Sequence, residues 1–148
     1  MENCCFFKYH LIIVTNRKIY KLLVHKNNMK NKESIKEAER LMQPGYFHRA
    51  VSIYESLGMK EKAKEASLKC AVDCMKNYRP AFAMKYLEKA GKGDIAKQVE
   101  NICSIHGFSP SEDLEMRACG MMLCPDYVDK AMAVSQSKDM NSLIEKLS

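Results

Sequence analysis

Tryptophan is absent from the 148 residues, and proline and glycine are sparse, at four and six. So few turn-forming residues exclude a loop-rich, collagen-like or low-complexity chain. Long apolar runs are missing as well. The run LIIV at 11–14 stops at Thr15-Asn16-Arg17-Lys18. A secretory core needs about 7–15 apolar residues and a membrane span about 20. No transmembrane segment is therefore expected, and an intracellular, cytoplasmic setting is. The chain also lacks a Gly-rich phosphate loop and a Gly-x-Ser-x-Gly elbow, so the sequence gives no reason to expect an enzyme or a cofactor.

What is present favours helix. Hydrophobic residues make up 47% and charged residues 28%, with 11 methionines. The formal net charge of +6 is local: residues 1–32 hold Lys8, Arg17, Lys18, Lys21, Lys26, Lys30 and Lys32 against Glu2, while residues 33–148 are neutral. Any affinity for nucleic acid or an anionic surface is thus expected in residues 1–32. The seven cysteines (4, 5, 70, 74, 103, 119 and 124) are an odd number with no secretory signal, and read as free, buried thiols.

Residues 1–32 form a basic N-terminal segment. Within it, 6–25 read as a hairpin turning at Asn16-Arg17-Lys18 or as a short amphipathic helix, and 26–32 (KNNMKNK) as a polar linker. From Glu33 a helical period takes over. Ile35, Ala38, Leu41 and Met42 share one face; Phe47, Ala50, Val51, Tyr54 and Leu57 form a stripe that Gly58 ends. The segment 60–76 presents a small-residue face of Ala63, Ala66, Cys70, Ala71, Cys74 and Met75. Ala83, Leu87 and Ala90 follow, closed by Gly91. Asp94 is the expected cap of a helix facing inward with Ile95, Val99, Ile102 and Cys103. Ser109-Pro110-Ser111-Glu112 reads as the start of a helix carrying Leu114, Ala118, Met121 and Met122. Tyr127, Val128, Ala131 and Val134 mark the next. Leu143, Ile144 and Leu147 mark the last, with Met140 and Leu143 expected on the surface and no polar cap evident.

One phrase is written twice. Ala50, Glu55, Gly58, Ala63 and Lys64 recur 33 residues on as Ala83, Glu88, Gly91, Ala96 and Lys97. A fixed period of this length, spanning helix, tight turn and helix, marks stacked helical hairpins, because a lone hairpin cannot bury its own apolar face. Residues 33–148 are therefore expected to be an all-α array of antiparallel hairpins.

Over 33–91 the chain resembles the tetratricopeptide-repeat family. Ala38, Gly45, Phe47, Ala50 and Tyr54 match one copy of its pattern, and Ala71, Ala83 and Leu87 a second, in which Tyr78 and Pro80 replace the turn's glycine and aromatic. The early tryptophan of the family is missing from both copies, so the repeats are degenerate. The resemblance implies an α-solenoid that binds a protein partner, within a multi-subunit complex, in a groove formed by the first helices. By alignment that groove would hold Ile35, Glu39, Met42 and Gln43, then Leu68, Val72, Met75 and Lys76. These residues are too apolar to capture a terminal carboxylate and suit an amphipathic helix, although each could equally be core. The competing reading is an RNA-binding helical array resembling pentatricopeptide repeats, which the neutrality of 33–148 disfavours.

Cys70, Cys74, Cys103 and His106 are the one set that could form a tetrahedral zinc site from two facing helices. Their predicted burial argues instead for small hydrophobes, and no metal is expected. The carboxylates of Glu61, Glu65, Glu112, Asp113 and Glu115 are expected at solvated positions.

Overall fold

A computed structural model describes residue 23 and residues 27–118 and 125–148. All regular structure among the described residues is helical. Helix α1 covers 27–40, followed by α2 (Phe47–Ser56), α3 (Lys60–Lys76), α4 (Pro80–Lys89), α5 (Gly93–Ile105), α6 (Pro110–Ala118), α7 (Pro125–Gln136) and α8 (Lys138–Leu147). The chain divides into two units between Glu37 and Ala38, inside α1. No described helix is long and apolar enough to cross a membrane.

The segment 6–25, read as a hairpin or a short amphipathic helix, lies outside the described residues, Leu23 apart. The linker reading of KNNMKNK does not hold for 27–32, which belong to α1. Every residue from 27 to 33 is exposed, so these two turns of helix have no apolar face to betray them. Lysine and methionine are good helix formers regardless.

The two copies of the repeated phrase close their first helices in the same way. After α2, the Gly58 amide donates to the Glu55 carbonyl (3.0 Å) and the Met59 amide to the Tyr54 carbonyl (2.9 Å); after α4, Gly91 donates to Glu88 (2.9 Å) and Lys92 to Leu87 (2.8 Å). Gly58 and Gly91 have φ of 69° and 74°, the left-handed geometry that glycine adopts without a Cβ penalty. The end of α3 uses the same turn, with the Arg79 amide donating to the Cys74 carbonyl (2.9 Å). There the left-handed residue is Tyr78, at φ 58°.

These short turns pack α2 on α3, α3 on α4 and α4 on α5. Alanines lie where the axes approach: Ala38, Ala50, Ala66, Ala71 and Ala83 are all fully buried. A larger side chain at such a crossing would push the helices apart. One apolar cluster joins Ala38 and Leu41 to Ala50, Val51 and Tyr54 of α2 and Ala63 and Ala66 of α3. A larger one runs from Cys70 through Leu87, Val99 and Phe108 to Val134, Met140 and Ile144. Tyr86 packs against both. Each large side chain so buried contributes about 1.5–3 kcal/mol.

The C-terminal helices do more than extend a line. α6 packs on α4, α7 touches α4, α5 and α8, and α8 also reaches α3 and α5. In a strictly linear array each hairpin meets only its neighbours; the contact between α8 and α3 departs from that. Accordingly Met140 is fully buried and Leu143 nearly so, against the expectation that both are surface residues. The Ser137 hydroxyl accepts from the Met140 amide (3.2 Å) and supplies the cap that seemed missing.

Three further expectations are corrected. Asp94 sits in the first turn of α5 rather than capping it, and Lys92 holds the cap position; its carboxylate still lies where the helix dipole favours a negative charge. Val128 is 40% exposed although it was expected inside, because α7 turns Tyr127, Ala131 and Val134 inward. Asp113 is fully buried, not solvated. The orientation of α6 is set by its start: the Tyr127 hydroxyl donates to the Ser109 carbonyl, and the Phe108 and Tyr127 rings lie 5.0 Å apart. With that corner pinned, the first turn of α6 faces the core with Asp113.

Candidate functional site

The α3–α4 hairpin and the start of α2 enclose a cleft of about 590 Å³. Gly45, Phe47 and His48 form one wall; Cys70, Asp73 and Cys74 of α3 form the floor; Asn77, Arg79, Phe82 and Tyr86 close the other side. Local sequence explains its shape. Pro44-Gly45 interrupts the chain before α2, with Gly45 at φ 82°, and Asp73 ties this turn to the opposite one. The Asp73 carboxylate accepts from the Gly45 amide (3.3 Å) and from the Asn77 side-chain amide (3.2 Å). Three aromatic rings and an arginine in one concavity match the composition of protein-interaction hot spots, where Tyr and Arg are enriched. Tyr46 and Tyr78, next in sequence to lining residues, are 46% and 42% exposed.

The floor is chemically distinct. Cys70 and Cys74 are free and buried. Hydrogen bonding with Cys70, reinforced by burial, pushes the Cys74 thiol far above its ordinary value. Cys70 goes the other way, lowered chiefly by its hydrogen bonding with Cys74 and also by Tyr86. Burial, then the neighbouring Cys70, raises the Tyr86 hydroxyl to about 12. Elsewhere in the larger core, burial accounts for most of the rise of Cys103 to about 12, with Glu100 and Asp113 adding to it.

The candidate zinc set is not assembled. Cys70 and Cys74 face one another, but no group of three or more His, Cys, Asp or Glu side chains placed to hold a metal occurs among the described residues. Cys103 is sealed in the core at 0% exposure, and His106 occupies the turn after α5.

The residues aligned to the family's groove are scattered in environment. Met75 is fully buried in the larger core, and Leu68 and Val72 are partly buried against it. Met42 packs on the smaller cluster. Glu39 is exposed and paired with Lys62 (3.0 Å), which also stands over the Tyr54 ring at 5.7 Å. Gln43 and Lys76 are exposed, and Ile35 is half-buried in the N-terminal unit. The repeat-packing residues Ala38, Ala50, Tyr54, Ala71, Ala83 and Leu87 are all buried, Phe47 is partly so, and Gly45 lies at the cleft mouth. Sequence reasoning missed Asp73, Arg79, Phe82 and Tyr86. Asp73 and Asn77 at i and i+4, at the end of a helix, were the available signal. No protein-family model, no curated protein and no solved structure matches the chain.

Proposed function

We propose that the chain is a non-catalytic interaction scaffold. It holds a peptide or helix of a protein partner within a larger intracellular assembly, using degenerate tetratricopeptide-like hairpins. The observation that carries this reading is the repetition itself. Two copies 33 residues apart share the same positive-φ glycine, the same pair of closing hydrogen bonds and the same fully buried alanine. Helical arrays built in this way present extended surfaces rather than enclosed reaction sites. The α2–α4 cleft is the docking site in this reading, its aromatic and arginine side chains acting as anchors.

The test is affinity capture with the full chain, with and without RNase. Protein partners that survive RNase, and are lost on Arg79→Glu or Phe82→Ala with helicity intact, support the scaffold. Partners that vanish with RNase overturn it in favour of an RNA-binding array acting through the basic residues 1–32.

A further inference from the structure

Cys70 and Cys74 stand one helical turn apart on the floor of the cleft. Side chains at i and i+4 have Cβ atoms about 5–6 Å apart, whereas a disulfide needs about 3.5–4.5 Å. An intact α3 therefore keeps the pair from bridging directly, yet near enough to share an atom between them. We propose that Cys70 and Cys74 form a two-coordinate site for a soft monovalent cation, Cu(I), entered from the α2–α4 cleft.

The choice of ion follows from the donor set. Two thiolates are soft ligands that select Cu(I). Structural zinc takes four ligands, and no third His, Cys, Asp or Glu joins the pair among the described residues. Two S–H bonds break and two S–Cu bonds form, both protons leave to solvent, and copper remains +1 throughout, so no oxidant or reductant is consumed.

The resulting bis-thiolate carries one net negative charge. Arg79 lines the cleft with the pair, as does His48 at the start of α2. The Asp73 carboxylate, between the two cysteines in sequence, is already engaged by Gly45 and Asn77.

The full chain, with Cys4, Cys5, Cys119 and Cys124 replaced by serine, is titrated anaerobically with Cu(I) against a chromophoric Cu(I) chelator. One ion per chain is expected, falling to none with Cys70→Ser or Cys74→Ser and unchanged with Cys103→Ser. A readout independent of these variants is alkylation of the wild-type chain followed by mass spectrometry, in which Cu(I) should protect Cys70 and Cys74 together. Absence of binding, insensitivity to both serine substitutions, a requirement for Cys103, or protection confined to other cysteines would each overturn the assignment.

Discussion

Tyr78 offers a substitution that should strengthen the fold. It holds φ 58° in a turn whose counterparts use Gly58, Gly91 and Gly107. For an L-residue that conformation costs roughly 1–2 kcal/mol. The ring is 42% exposed, so trimming it forfeits only part of a burial term. Glycine would remove the strain but add about 0.5–1 kcal/mol of unfolded-state entropy. Asparagine tolerates the left-handed region without that loss. Tyr78→Asn is therefore expected to stabilise by about 0.5–1 kcal/mol and Tyr78→Gly by somewhat less. The mirror experiment is Gly91→Ala at φ 74°. A Cβ there meets nothing within 4 Å, so its cost is backbone strain alone, about 1 kcal/mol in the destabilising direction. For a chain of this size 1 kcal/mol moves the melting temperature by roughly 2–4 °C. Thermal and urea melts followed by far-UV circular dichroism resolve both signs. If Tyr78→Asn destabilised the chain as much as Gly91→Ala does, the shared turn geometry would be wrong.

Three other outcomes are expected. Ala50→Trp and Ala83→Trp, at fully buried crossing points, should each destabilise by about 1–3 kcal/mol through overpacking; an unchanged melt would place either residue off the interface. The Glu55–Lys89 pair joins the two repeats at 2.8 Å with both side chains substantially exposed. A double-mutant cycle should therefore return a coupling no larger than about 1 kcal/mol that fades with salt, and a larger, salt-independent value would contradict that. The third outcome concerns pH. Burial lifts Cys103 from 9.0 to about 12, so the unfolded chain gives up this proton before the folded one does. Stability from this group is complete below pH 9 and lost as pH rises towards 12. Cys103→Ala should flatten part of the fall in melting temperature over that window, and an equally steep fall in the variant would remove the cause.

The helices from α2 to α5 were legible because apolar stripes at three and four spacing, ended by Gly58, Gly91 and Gly107, are local signals. Burial of Met140 and Leu143 was not legible. It depends on α8 returning to α3 and α5, a long-range contact that no window along the sequence contains. Asp113 misled for a similar reason, since its orientation is set by the Tyr127 hydroxyl reaching Ser109 from another helix. The cleft was half-visible. Cys70 and Cys74 stood out by spacing, whereas Arg79, Phe82 and Tyr86 join them only through the hairpin turn, and that turn places tyrosine where a glycine would have signalled it.

The most direct test of the scaffold reading is photo-crosslinking from inside the cleft in cell lysate. A photoreactive amino acid replaces His48, an exposed lining residue. A matched control replaces Lys97, which is exposed on α5 and is not among the lining residues. The account predicts a discrete protein adduct from position 48 that persists after RNase and is absent from position 97. RNA adducts at position 48, or the same products from both positions, would contradict it.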